Sequence, residues 1–179
     1  MKDAVIYYRY SEKTIDRKLS QELRALAADR NFDSLGIEDR PVFSEEVSGK
    51  PCFSDGRFHF SVSHSGRLYA ILFYPERCGF DIELMPGEKK SFDAIAKRFF
   101  SENEREIFFG AGGPTELFYR LWTAKEAAVK LSGAGLSGIS STDVTKDKYF
   151  ALPDGLFPVR TAGAIAAENL PESIRAIDF

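Results

Sequence analysis

Two short stretches carry residues whose types and spacing suit chemistry on an anion. In CGFDIEL, from Cys78 to Leu84, the carboxylates Asp81 and Glu83 stand two residues apart on what reads as a β-strand. They therefore face one side, about 6.5–7 Å apart at Cα. In LWTAKEAAVK, from Leu121 to Lys130, Glu126 and Lys130 are four apart on what reads as a helix, with Trp122 one turn before Glu126 on the same edge. Two like charges about 6 Å apart repel by close to ~3 kcal/mol at an effective dielectric of about 20. A semi-buried pair escapes that cost only with a cation between the charges or a proton on one of them. All-oxygen ligands favour Mg²⁺ or Mn²⁺, with substrate phosphates completing the octahedron. The plainer readings are two solvated acids on an edge strand and a surface ion pair worth about 0.3–0.5 kcal/mol.

Two further segments could meet a phosphate. VSHSGR, from Val62 to Arg67, ends a strand with hydroxyls, an imidazole, a glycine and an arginine. With only His59 and His64 in the chain, zinc chemistry has little support, but His64 in this polar turn suits a phosphate. SGKP, from Ser48 to Pro51, sets a lysine beside a turn, without the G-x-x-x-x-G-K-[ST] frame of a P-loop. Alone it reads as a surface turn.

The elements that must position these groups come in blocks. DAVIYYRY reads as a strand, and Ile15, Leu19, Leu23, Leu26 and Ala27 pattern a helix from Ser11 to about Arg30. A charged, small-residue loop leads to FHFSVSHSG, followed by LYAILFY and CGFDIEL, all read as strands. From Ser91 the pattern turns helical: SFDAIAKRFF, then SENEREIFF with a capping box at Ser101 and Glu104, then a helix from about Pro114 to Leu131. On that last helix Leu117, Leu121, Ala124, Ala128 and Leu131 form the arc suited to burial. KYFAL, LFPVR and ESIRAIDF close the chain as short strands. Strands, then helices, then strands argue for an α+β fold.

With 179 residues and 44% of them apolar, the chain can bury a sizeable core. A formal charge of −3 supplies no general field for nucleic acid or anionic lipid, so any anion site must be local. Cys52 and Cys78 read as reduced packing residues rather than a disulfide or zinc framework. MKDAVIYYRY lacks a signal peptide's apolar run and no segment approaches a membrane span, so a cytoplasmic protein is expected.

Taken in order, G-K-P, S-H-S, G-F-D-I-E, R-F-F-S-x-x-E and W-T-A-K-E-A-x-x-K-x-x-G-x-G-L make a pattern more specific than any member. The chain resembles the Sfp-type 4′-phosphopantetheinyl transferases from about Gly49 to Leu136, roughly half of its length, most specifically in GFDIE and WTAKEAAVK. The resemblance implies transfer of the phosphopantetheine arm of coenzyme A to a serine of an acyl or peptidyl carrier protein, releasing adenosine 3′,5′-bisphosphate. It implies two similar α+β lobes in one chain, residues 1–77 and 78–179, with coenzyme A in the cleft between them. Asp81, Glu83 and Glu126 would hold Mg²⁺, and Lys130 would contact the pyrophosphate. Ser63 and His64 match positions that touch the coenzyme's phosphates, and Gly49, Lys50 and Pro51 match a segment lining its nucleotide site. Glu126 or an acid near it is the candidate base for the carrier serine.

The chain departs from the family in its first lobe. Relatives carry a basic segment that grips the 3′-phosphate of coenzyme A, whereas here Tyr10 runs straight into SEKTIDRKL, leaving Arg17, with Lys18 beside it, as the substitute. Trp122 is expected to be structural, and Lys125 points about 100° away from Glu126. Lys89, Lys90, Lys97 and Arg98 form the basic cluster suited to an acidic carrier. A monomer is expected. The rival readings are a non-catalytic coenzyme A or carrier-binding module, and a Mg²⁺-dependent phosphoesterase, which commonly wants E-x-K on a strand.

Overall fold

A computed structural model describes residues 3–85, 87, 91–146 and 148–179. In chain order the elements are β1 (Asp3–Tyr10), α1 (Arg17–Leu35), β2 (Phe43–Glu45), β3 (Pro51–Phe53), β4 (His59–Ser65), β5 (Leu68–Tyr74) and β6 (Cys78–Leu84). There follow α2 (Asp93–Phe99), α3 (Glu102–Gly110), α4 (Thr115–Ser132), a 3₁₀ turn (Leu136–Ser141), β7 (Phe150–Ala151), β8 (Thr161–Ala167) and β9 (Ser173–Asp178). The class is α+β, as expected.

Two sheets stack face to face. The first has strand order β4-β5-β1-β9 and the second β6-β8-β7, while β2 and β3 form a separate hairpin. Ile6, Leu68, Ala70 and Leu72 of the first sheet meet Phe80, Ile82 and Ile165 of the second in one buried cluster. The other face of the first sheet packs Tyr7, Tyr69, Ile71 and Phe73 against Leu23, Ala27 and Phe32 of α1. The other face of the second sheet packs Ala164 and Ala166 against Leu121, Ala124 and Ala127 of α4, with α2 and α3 alongside. The order is helix, sheet, sheet, helices. Because β5 lies inside this stack, LYAILFY is buried at every residue and reads as a continuous apolar run instead of an alternating one.

β9 runs parallel to β1, from Asp3 opposite Ser173 to Tyr8 opposite Asp178. The end of the chain thus returns to the first sheet, so a division of layers at residue 78 is crossed by the last strand. β8 is TAGAIAA, a segment outside the strands expected from sequence, while LFPVR forms no strand. β8 is central in its sheet and buried on both faces, so it shows no alternation, and apart from Thr161 and Ile165 its side chains are alanine and glycine. Its small side chains let neighbours approach: a Cβ on Gly163 would lie 2.6 Å from Leu152 Cδ1.

α1 begins later than its apolar spacing suggests, because Asp16 caps it by accepting from Leu19 N–H at 2.8 Å, and it ends at Gly36 in the left-handed region. α4 matches its expected span, but its buried face is broader than the expected arc. Phe118, Thr123, Lys125, Ala127 and Val129 are buried with Leu121 and Ala124, whereas Leu117, Ala128 and Leu131 are only partly covered. The helix is wedged against both β6 and β8, which buries more than one stripe.

Candidate active site

The site forms where β4, β6, α4 and the β2–β3 hairpin meet. Gly79, Asp81 and Glu83 lie on the face of β6 turned toward α4, opposite Phe80 and Ile82. Gly79 allows the close approach: a Cβ there would sit 1.9 Å from the Ala127 carbonyl oxygen. Helix and strand in contact put Lys130 Nζ 2.7 Å from Asp81 Oδ1 and 3.0 Å from the Phe80 carbonyl oxygen.

Between β4 and β6 runs a ladder of serine hydroxyls. Ser61 Oγ accepts from Phe80 N–H at 3.0 Å, Ser63 Oγ from Ile82 N–H at 3.2 Å and Ser65 Oγ from Leu84 N–H at 3.0 Å. Ser63 donates to Asp81 Oδ1 at 2.7 Å and Ser65 donates to Glu83 Oε2 at 2.6 Å. Side chains thus replace the backbone ladder where the sheets part. This arrangement has no signature in hydrophobic periodicity, and only the alternate serines of SVSHS hint at it.

A cavity of about 280 Å³ opens beside this junction, with Gly49, Lys50 and Pro51 on one wall and Glu126 and Lys130 on the other. Lys50 donates to the Cys78 carbonyl oxygen at 2.7 Å, and burial pushes its ammonium below the ordinary lysine range. The hairpin carrying it is clipped in place by Arg77, which bonds Glu46 at 2.8 Å and the Leu131 carbonyl at the C-terminal end of α4 at 2.9 Å. A cation there also meets the negative end of the helix dipole.

Burial raises the Glu126 carboxyl above the ordinary carboxylate range, and repulsion from Asp81 and Glu83 adds to it while Lys130 opposes. Glu83 is raised too, first by burial and then by Asp81, against the Ser65 hydrogen bond. Glu83 and Glu126 are therefore both raised by the neighbouring Asp81. Among the described residues no three such side chains already converge as a ready metal cluster, and Lys130 is the countercharge on Asp81. The donor set nevertheless fits a hard divalent cation. Asp81 Oδ2 is buried with no hydrogen-bond partner, and the strained acids offer only oxygen.

The remaining sequence candidates fall outside this cluster. The Ser63 hydroxyl is committed to Asp81 and Ile82 and does not line the cavity. His64 is beside the cavity rather than in its lining; desolvation and Lys130 lower its imidazole below the usual histidine range, with Asp81 pulling the other way. Arg17 is exposed on the first turn of α1 and is absent from the cavity wall, while Lys18 lies 3.9 Å from Glu22. Trp122 packs on Phe99 and Phe118 with ring centroids 5.8 Å away in each case, a structural position.

Lys125 is the residue whose place sequence reading missed. It is fully buried, 2.6 Å from the equally buried Glu104, and also donates to the Thr142 carbonyl oxygen. Glu104 makes the expected capping box with Ser101 and accepts from Val144 N–H at 2.8 Å. The pair joins α3, α4 and the segment after the 3₁₀ turn. Cys52 and Cys78 are both free thiols, as expected. Lys97 and Arg98 are exposed on α2, whereas Lys89 and Lys90 lie outside the described residues. No helix among the described residues is long and apolar enough to cross a membrane.

Known proteins are similar to this chain in sequence. The chain is similar to the 4′-phosphopantetheinyl transferase Sfp of Bacillus subtilis, 41% identical over 98 residues covering 53% of this chain and 42% of that protein. A second 4′-phosphopantetheinyl transferase of Bacillus subtilis is 43% identical over 151 residues, covering 78% of this chain and 64% of the relative. A putative 4′-phosphopantetheinyl transferase of Synechocystis, slr0495, is 34% identical over 157 residues, covering 83% and 62%. The chain spans about two fifths to two thirds of the length of these relatives. The family model of the 4′-phosphopantetheinyl transferase superfamily matches residues 77–162, the stretch that holds Asp81, Glu83, Glu126 and Lys130. The acids, the lysine and the close α4–β6 packing lie in that matched stretch, and it is there that the chain is similar to the 4′-phosphopantetheinyl transferase superfamily.

Proposed function

We propose that the protein transfers the 4′-phosphopantetheine arm of coenzyme A to a serine of an apo acyl or peptidyl carrier protein, and so acts as a holo-[carrier-protein] synthase. The observation that carries the reading is the cavity that faces Lys50 on the hairpin toward Glu126 and Lys130 on α4, with Asp81 2.7 Å from that second lysine. Two ammonium groups and the Glu126 carboxylate on one cavity, with Asp81 behind the second lysine, suit a pyrophosphate and its counter-cation.

In the reaction the carrier serine oxygen forms a bond to the phosphorus bearing pantetheine. The anhydride bond breaks, and adenosine 3′,5′-bisphosphate leaves with its electron pair. Lys130 meets the negative charge on the pyrophosphate oxygens, held toward them by its bonds to Asp81 and the Phe80 carbonyl. Glu126, on the cavity wall, or an acid near it would accept the serine proton. Lys50, Gly49 and Pro51 hold the nucleotide side of the coenzyme. Asp81, Glu83 and Glu126 would hold Mg²⁺, or Mn²⁺ in its place, which when bound neutralises charge on the bridging phosphates.

The two sheet-and-helix units serve as the similar lobes of a monomeric, cytoplasmic enzyme, with neither nucleic acid nor membrane as partner. Lys97 and Arg98 beside the exposed Ile95, Ile107 and Phe109 suit an acidic carrier with an apolar contact face. A binding module without turnover is the alternative. Incubation with a fluorescent coenzyme A and an apo acyl carrier protein separates them: fluorescence that becomes covalent on the carrier, and is lost with a chelator, supports transfer. Binding of coenzyme A without labelling of any carrier in a broad panel supports the module.

A further inference from the structure

We propose that Ser65, with Ser63, is a positioning residue that aims the site's carboxylates at the cation, an inference that rests on the Mg²⁺-dependent reading above. Each serine hydroxyl has one proton. In both residues the oxygen already accepts a backbone N–H of β6, from Ile82 to Ser63 and from Leu84 to Ser65. That acceptance fixes the hydroxyl, and its proton goes to the acid one residue earlier, Asp81 at 2.7 Å and Glu83 at 2.6 Å. One oxygen of each carboxylate is thereby tied to the strand opposite. The second oxygen of Asp81 is left buried and without a partner. A buried acceptor left open costs free energy unless something fills it, and a cation does so.

The ladder contains its own control. Ser61 makes the same bond to a backbone N–H, from Phe80 at 3.0 Å, but the preceding residue of β6 is Gly79, so no acid is there to receive its proton. A ladder serving only to join the sheets would make the three serines equivalent. One serving the metal ligands makes Ser65 and Ser63 different from Ser61. Ser65 is the cleaner probe, since Asp81 is also held by Lys130.

The test titrates the full chain with Mn²⁺ alone and reads free Mn²⁺ by electron paramagnetic resonance, with melting temperature recorded in parallel. Ser65→Ala is expected to raise the Mn²⁺ Kd about tenfold, the usual effect of removing a group that orients a metal ligand. Ser65→Thr, which keeps the hydroxyl, should restore it, and Ser61→Ala should lower the melting temperature by a similar amount while leaving the Kd within about twofold of wild type. Ser65→Ala binding Mn²⁺ as the wild type does, or Ser61→Ala weakening it equally, overturns the positioning role and leaves the transferase reading intact. Wild-type protein that modifies a carrier yet binds no Mn²⁺ overturns the metal reading and this role with it.

Discussion

Lys125→Met removes the ammonium from a fully buried pair and leaves the Glu104 carboxylate in the same surroundings. The acid keeps two N–H donors, Ser101 and Val144, both at 2.8 Å, but loses the cation at 2.6 Å. Removing one partner of a buried pair costs about 3–5 kcal/mol, because the survivor's charge has no counterion. The two retained donors move this site toward about 3 kcal/mol, and the Thr142 carbonyl, which also loses a donor, adds about 1 kcal/mol. The sum of about 4 kcal/mol is a large part of the 5–15 kcal/mol typical of a domain, and lowers the folding constant by about a thousandfold. Urea unfolding followed by far-ultraviolet circular dichroism and by Trp122 fluorescence reads it directly, the indole being packed on Phe99 and Phe118. The double variant Lys125→Met/Glu104→Gln should recover about 1–2 kcal/mol, since no charge is then buried. A Lys125→Met protein within about 1 kcal/mol of wild type, or a double variant less stable than the single, would refute the argument.

Three more outcomes follow from the geometry. Gly79→Ala should destabilise by about 3 kcal/mol in the same assay, the upper range for overpacking, because its Cβ would meet a backbone oxygen 1.9 Å away; a change below about 0.5 kcal/mol would mean α4 is free to shift. Burial pushes the Cys78 thiol up to about 12 from 9.0, with Lys50 and Arg77 opposing, so at pH 8 its thiolate is about a thousandfold scarcer than for an ordinary thiol. Native alkylation followed by peptide mass mapping should label Cys52 first, and equal labelling would count against the burial of Cys78. Arg17 stands away from the cavity, whose described lining offers only Lys50 and Lys130 as cations, so 3′-dephospho-coenzyme A should serve within about tenfold of coenzyme A in kcat/KM. A larger discrimination would require a 3′-phosphate contact from outside that lining.

The shared faces of the candidate residues were easier to read than what supports them. Asp81 with Glu83, and Glu126 with Lys130, follow from the two periodicities of strand and helix, so their shared faces were legible without the fold. Lys125 was not, because a lysine between Ala124 and Glu126 reads as solvent-facing until a buried acid arrives from another helix. β8 escaped notice since alanine and glycine have weak strand preference, and only its central place under α4 explains them. Ser63 was assigned to phosphates by resemblance, while its partner is a carboxylate 18 residues on, a contact set by how two sheets meet. Arg17, the substitute named for the 3′-phosphate, is exposed on α1 and is not among the lining residues of the cavity.

Transfer is read by intact-mass spectrometry of apo carrier proteins after incubation with coenzyme A, Mg²⁺ and this protein, with Glu126→Gln alongside. A gain of one phosphopantetheine mass on a carrier is expected, absent with the variant and without metal. Unmodified carriers across a broad panel, from a folded protein that binds coenzyme A by calorimetry, would contradict it.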